Sequence, residues 1–211
     1  MRDLIILGAG PHAQEMADIV RQINRVEPVW NLLGFIVPDA QAALVGRHMG
    51  SGLPVLGIYA TIDQYSAAVF VPEYGCGFPD FPCERMVSLI APSAFVASTA
   101  QIGAGCVIYP GCFVGHNAVL GKRVFCLSGC VINHDDRLED NVTVCSNASL
   151  AGLVHVERDC YLGQGCAIRQ ELRIGRGSLI GMGSVIIRDV PPNSVMVGNP
   201  GRRLRDRTAG L

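Results

Sequence analysis

Every sixth residue from Ile90 to Ile186 is Ile, Leu or Val, except Cys126, which is itself small and apolar. A fixed hexad period is the signature of a parallel β-helix. Each hexad is read as one short strand and its turn. Three hexads close a triangular coil of 18 residues, so the seventeen hexads give between five and six coils. The aliphatic column fills the inside of the prism. Glycines directly after it, at Gly103, Gly115, Gly121, Gly163, Gly175 and Gly181, are expected at corners that need an unusual backbone angle. The period stops at Pro191-Pro192, and the tail 191–211 is expected to cap or lie across the last coil.

Before residue 86 the pattern changes. Leu4-Ile5-Ile6-Leu7 is a short apolar run that reads as a buried parallel strand. A glycine turn follows, then Met16, Ile19, Val20 and Ile23 at the spacing of an amphipathic helix. Further strands are expected at 32–37 and 67–71, with a loop or partly helical insertion over 38–54 and an irregular linker over 72–82. Strand, glycine turn, helix, strand opens a Rossmann-like α/β unit. The expected fold is therefore α/β plus all-β: a small N-terminal Rossmann-like domain (1–85), a β-helix of hexapeptide repeats (86–190) and a C-terminal tail (191–211).

A net charge of -1 gives no electrostatic reason for a nucleic-acid partner. No apolar run reaches the length of a membrane span or a signal peptide, so the chain is expected to be cytoplasmic. The 25 glycines suit a turn-rich solenoid. The nine cysteines would suggest metal or disulfides, but the hexad ruler places Cys106, Cys112, Cys130, Cys160 and Cys166 in one slot, two residues before the aliphatic one. Elsewhere that slot takes small residues such as Ala94, Ala100, Ala118, Ala148, Ser178 and Ser184, so these thiols read as packed filler.

Used as a ruler, the period also stacks surface residues. Positions 18 apart lie in neighbouring coils, about 4.8 Å apart. The column two residues after the aliphatic position reads Ser98, His116, His134, Gly152, Gln170, Arg188. Asn133 and Asp135 flank His134. An imidazole near neutral pKa can accept a proton from an attacking hydroxyl or amine, and a neighbouring carboxylate can orient it. The alternative is a solvated corner histidine. In the first unit, Gly8-Ala9-Gly10-Pro11-His12-Ala13 fits the glycine pattern that lets a phosphate approach a helix N-terminus. No acidic residue ends the second strand, where Val37-Pro38 stand, which speaks against NAD.

The chain resembles the family of sialic acid O-acetyltransferases and nucleotide-aminosugar N-acetyltransferases. The resemblance rests on the segment Ile6 to Glu15, Gly34-Phe35-Ile36 and Leu89 to Ala94. It rests further on Val131-Ile132-Asn133-His134-Asp135, on Leu150-Ala151-Gly152, and on the ending from Gly181 through Pro191 to Val197-Gly198-Asn199-Pro200. It implies a left-handed β-helix, a homotrimer, and acetyl-CoA in the groove between neighbouring prisms, with no metal. His134 matches the family's base, Asp135 its carboxylate partner, and Gly152 the glycine whose N–H meets the thioester carbonyl. Gln164 and Met182 match positions lining the CoA groove. Gly8, Gly10, Pro11, His12 and Asp39 match the part that holds a nucleotide-linked amino sugar, and His116 is a possible substrate contact. Val37-Pro38 before Asp39, Pro72-Glu73-Tyr74-Gly75 after the third strand, and Ala91 in place of a histidine depart from the family pattern.

Two other functions remain open at this level. One is a non-catalytic β-helix that binds a nucleotide-sugar or a partner protein. The other is a metalloenzyme similar to γ-class carbonic anhydrases, using His116, His134 and His155. His155 falls in a different slot of the ruler, and paired histidines a few residues apart are missing. Whether the acceptor atom is N or O, and which sugar and nucleotide carry it, is not written in the sequence.

Overall fold

The computed structural model describes residues 1–74 and 83–207; most of the linker expected over 72–82 lies outside them. The chain divides into two compact units, Met1–Pro92 and Ser93–Leu211.

The first unit is built on a four-stranded parallel sheet. Its strands are β1 (Arg2–Leu7), β2 (Trp30–Val37), β3 (Val55–Ile58) and β4 (Val69–Pro72), in the order β3-β2-β1-β4. β1 has a parallel neighbour on each side, which is why Leu4 to Leu7 are an unbroken apolar run at 0–1% exposure. Helix α1 (Pro11–Val26) buries Ala13, Met16, Ala17, Ile19 and Val20, the expected stripe. The insertion after β2 holds a 3-10 turn, Asp39–Leu44, and an isolated bridge between His48 and Pro54. β3 was not expected. It has only four residues, and Gly57 in its middle removes the strand signal. Gly57 is needed because a Cβ there would lie 2.5 Å from Thr61 Oγ1.

The second unit is a β-solenoid. Two-residue strands recur every six residues and pair in parallel with the strands 18 residues before and after, forming three sheets. On the first face Val131 pairs with Phe113 and Ser149. On the second, Val119 pairs with Gln101 and Arg137. On the third, Phe125 pairs with Val107 and Thr143. The aliphatic column from Ile108 to Ile186 is buried throughout, at no more than 2% exposure. Each such side chain contributes about 1.5–3 kcal/mol of apolar burial. Cys106, Cys112, Cys130, Cys160 and Cys166 are at 0–1% exposure, and burial pushes the Cys160 and Cys166 thiols up to about 12. They are packing groups, unreactive at neutral pH. Beyond Pro192 the chain stays on the third face: Ser194–Val197 pairs in parallel with Leu179–Ile180, and Arg202–Asp206 runs antiparallel beside it.

The glycines after the aliphatic column do not serve the role expected of them. The left-handed residue of each turn lies two positions later, at Gly105, Asn117, Asp135, Asn147 or Gly165, with φ between 54 and 75. Gly103 and Gly163 are needed for space. A Cβ would stand 2.4 Å from Gly121 O at Gly103 and 2.5 Å from Ile180 O at Gly163. A corner must pass within backbone contact of the next coil, and only the turn residue must be left-handed.

The two roles predict different tolerances. Gly165 has φ +66 with open space around its missing Cβ, so Gly165→Asn should stay within about 1 kcal/mol of the parent. Gly163→Ala should cost about 1–3 kcal/mol through overpacking. Leu150→Ala, which empties the inner column, should cost about 2–5 kcal/mol. Denaturant midpoints of the three variants check the ranking; a Gly165→Asn loss larger than the Gly163→Ala loss would refute it.

Candidate functional site

Three consecutive coils bring the chemistry to the corner that follows the first face. In the turn 133–136, Asp135 occupies the left-handed position at φ 60, and its N–H donates to His116 O at 2.8 Å. Asp and Asn tolerate that conformation better than other residues with side chains. The turn sets the Asp135 carboxylate beside the preceding residue. Asp135 Oδ2 lies 2.9 Å from His134 Nδ1, and Asp135 Oδ1 accepts from Asn117 Nδ2 at 3.3 Å. These two bonds, His134 first, hold the Asp135 carboxyl below the usual carboxylate range. The His134 and Asp135 side chains are 57% and 40% exposed, so their contact orients the ring and adds little stability.

With Nδ1 turned to the carboxylate, Nε2 is left as the proton-accepting nitrogen. It faces Gly152 in the next coil, where a Cβ would lie 2.9 Å from His134 Nε2. Gly152 has φ +102 and Leu153 has φ 56. Among the described corners, only this one carries a left-handed residue at the second turn position as well as the third.

His116 lies one coil earlier at the same corner. Its Nδ1 is 2.9 Å from Thr99 Oγ1, and that oxygen also accepts the Asn117 N–H at 3.0 Å. Thr99 and Asn117 were not singled out from the sequence. Both lie in the column of Asp135, at 36 and 18 residues before it, so the same ruler read one place further along would have found them.

Asp136 follows Asp135 in the sequence, where its type alone indicates no role. It occupies the slot that holds small cysteines in other coils and is 0% exposed. Its Oδ2 accepts the Asn133 N–H and its Oδ1 accepts the Val154 N–H, each at 2.8 Å. Burial pushes its carboxyl up to about 6 despite those two bonds.

The remaining expected residues lie elsewhere. Gln164 and Met182 stack in neighbouring coils, joined by the Gly183 N–H to Gln164 O at 2.9 Å, and Met182 is 77% exposed. They stand at the corner after the third face, so the first face separates them from His134 within one chain. His155 is on the second face, paired with Glu139 Oε1 at 2.9 Å. Among the described residues no group of three or more His, Cys, Asp or Glu is placed to hold a metal ion.

In the first unit the glycine loop leads from β1 into α1. Gly8 has φ +107, Gly10 caps α1, and Pro11 opens the helix. The Gly10 N–H donates to Glu73 Oε2 at 2.9 Å and the Ala13 N–H to Glu73 Oε1 at 3.1 Å. Glu73 is 7% exposed, and a Cβ on Gly10 would lie 2.5 Å from its Oε1. Both N–H groups expected to face a phosphate are bonded to Glu73 in this structure. The chain's own carboxylate, delivered by the end of β4, meets the positive end of the helix. His12 Nδ1 is 3.0 Å from Glu15 Oε2, and Asp39 Oδ1 accepts the Ala60 N–H at 3.1 Å. Among the described residues no helix is long and apolar enough to cross a membrane.

No family model matches the chain. Among curated proteins, 67 residues are 43% identical to the acyl-[acyl-carrier-protein]–UDP-N-acetylglucosamine O-acyltransferase of Agrobacterium fabrum, covering 32% of this chain and 25% of that one. The same enzyme of Sinorhizobium fredii is 42% identical over 67 residues, with the same coverage. The chain spans about a quarter of the length of these curated relatives. Solved structures match over nearly the whole length. A variant of perosamine N-acetyltransferase from Caulobacter crescentus, in complex with CoA and GDP-perosamine, superposes with a TM-score of 0.82 at 22% identity, covering 97% of each chain. The acetyltransferase domain of PglB from Neisseria gonorrhoeae gives 0.80 at 23%, covering 97% and 100%. WeeI from Acinetobacter baumannii gives 0.79 at 23%, covering 97% and 100%. At these identities the likeness shows a shared fold.

Asp136 makes a testable mark on stability. Its carboxyl is harder to ionise in the folded chain, at about 6, than at its ordinary 3.8. Well below pH 3.8 both states are protonated and the group is neutral to folding. Between about pH 4 and pH 6 the unfolded chain ionises while the folded one keeps its proton, so up to about 3 kcal/mol of stability is lost, and the loss is complete once the folded carboxyl also ionises above about 6. The stability of Asp136→Asn relative to the parent should therefore rise between pH 4 and pH 7, as read from denaturant unfolding at each pH. A flat difference would show that Asp136 is not held in this way.

Proposed function

We propose that the protein is an acetyl-CoA-dependent acetyltransferase acting on the amine or hydroxyl of a nucleotide-linked sugar, with His134 as general base. The observation that carries this reading is the corner itself. The His134 imidazole is held by Asp135 through Nδ1, and its Nε2 is set against Gly152 of the next coil. A base without a carboxylate partner, or one on another corner from the glycine, would not support it.

The reaction requires no acyl-enzyme. Acceptor and thioester are held together, so attack is effectively unimolecular. His134 Nε2 takes the proton from the acceptor as its N or O attacks the thioester carbonyl. The Gly152 N–H stabilises the developing oxyanion, a contribution of about 3 kcal/mol in comparable sites. The tetrahedral intermediate collapses, the CoA sulfur leaves, and the imidazolium returns its proton to that sulfur. Asp135 keeps the ring in the tautomer that this cycle needs.

The fold likeness to CoA-bound sugar N-acetyltransferases supports the same assignment. We assign a left-handed coil to the solenoid and a homotrimer to the assembly. In a trimer, Gln164 and Met182 of one protomer would line the pantetheine groove of a site whose base comes from its neighbour, consistent with their place on a different corner. Residues 1–85 are assigned as a Rossmann-like acceptor domain, 86–190 as the acyltransferase and 191–211 as its cap, in a cytoplasmic protein. Gly8, Gly10, Pro11, His12 and Asp39 are assigned to the nucleotide-sugar, its diphosphate lying outside the N–H pair that Glu73 occupies. His116 is assigned a substrate contact.

Thiol release from acetyl-CoA, measured with a panel of UDP-, GDP- and dTDP-linked amino sugars, tests the reading. Turnover with at least one acceptor is expected, and His134→Ala should lower it by about 10²-fold or more at unchanged folding. Tight acceptor binding with no turnover would replace the enzyme by a binding protein.

A further inference from the structure

We propose that Asp136 is a positioning residue that holds Gly152 against His134 by clamping two consecutive coils of the catalytic corner. The inference rests on the reading of His134 as base and Gly152 as oxyanion donor, and it concerns what sets the distance between them.

Two features of the corner point to it. First, the residue type breaks the repeat. The equivalent slot holds Ala100, Ala118, Val154 and Leu172 in the other turns of this corner, and Cys, Ala, Val or Ser at the other two corners. An unpaired carboxylate in so buried a place would be costly, and Asp136 is accommodated because each of its oxygens accepts a backbone N–H.

Second, one of the bonds it takes is diverted from ordinary turn closure. The two earlier turns at this corner close on themselves, with the Ala100 N–H on Ala97 O at 2.9 Å and the Ala118 N–H on Gly115 O at 3.2 Å. In the 151–154 turn the corresponding donor, the Val154 N–H, goes instead to Asp136 Oδ1 in the coil before it. That is the turn in which Gly152 and Leu153 both adopt positive φ. The Val154 N–H bond to Asp136 thus falls in the turn whose second position takes a positive φ, a conformation glycine adopts at little cost. The other carboxylate oxygen holds the Asn133 N–H, at the start of the turn that carries His134. One side chain thus ties the base-bearing turn to the glycine-bearing turn. The Leu153 N–H on His134 O at 3.1 Å adds a parallel backbone tie.

Displacing Gly152 from His134 by even part of an ångström would affect the transition state more than the ground state. The test is steady-state kinetics on the intact protein with Asp136→Cys, which introduces a residue the slot holds at the other two corners, and Asp136→Asn, which keeps the shape and can accept only one of the two N–H bonds. Amide hydrogen exchange at Val154 is followed in parallel, and unfolding midpoints confirm that both variants fold. The expected result is a fall in kcat of roughly 10- to 100-fold for Asp136→Cys, a smaller fall for Asp136→Asn, and a KM for acetyl-CoA within about threefold. Faster exchange at Val154 should accompany it in the same order. In a His134→Ala background the further loss from Asp136→Cys should nearly vanish, because the geometry it maintains has no base to serve. Folded variants with unchanged kcat would overturn the positioning role while leaving the acetyltransferase reading intact. Failure of the parent protein to turn over any acceptor would overturn the acetyltransferase reading, and the catalytic role of Asp136 with it.

Discussion

The solenoid depends on one constraint: each two-residue strand pairs in parallel with the strand 18 residues away, and an aliphatic side chain points inward once per hexad. The pairing satisfies the backbone, and the inner column supplies the apolar burial that holds the coils together. Neither works without the other, since a slip of one residue would turn the column outward. Surface groups inherit this rigidity. His116, His134 and Gly152 are neighbours in space because they are 18 apart in the chain, and no long side chain has to reach for its partner.

A repeat this strict makes departures from it informative. Asn133 and Asp136 both replace residues that the repeat would make small or apolar, and Gly152 adopts a backbone angle that the equivalent residue of other coils does not. All three surround His134. The departures are also coupled. Asp136 accepts the Asn133 N–H, whose equivalents at Gly115 and Ala151 donate to the next coil, and the Val154 N–H, whose equivalents at Ala100 and Ala118 close their own turn; the second of these lies in the turn of Gly152. Local strain and a buried carboxylate are tolerated here because the coils on either side are regular and well packed.

In the first unit the same principle, that a helix N-terminus attracts negative charge, is satisfied internally. Glu73 fills the place that a glycine-rich loop is usually taken to offer to a ligand. The glycine leaves room for it, since the carboxylate oxygen lies 2.5 Å from where a Cβ would stand. An identical sequence pattern can therefore serve a ligand or the chain itself. The difference is decided by a residue some 60 positions away.

The sequence by itself determined the solenoid, its coil length, the buried thiols, and the column that joins His134 to Gly152. Each of these follows from a period, and a period is local information that survives without coordinates. It also gave the apolar β1 and the stripe of α1, for the same reason. Only the tertiary structure decided what depends on contacts between distant or aperiodic residues. It showed that Gly103 and Gly163 make room for the next coil while the third turn position carries the left-handed residue. It found β3, whose four residues with an internal glycine carry no pattern. It placed Glu73 at the start of α1, Asn117 behind Asp135, and Asp136 between two coils. Spacing tells which residues stack, but which atom of a side chain meets which backbone donor is fixed only when the chain has closed around it.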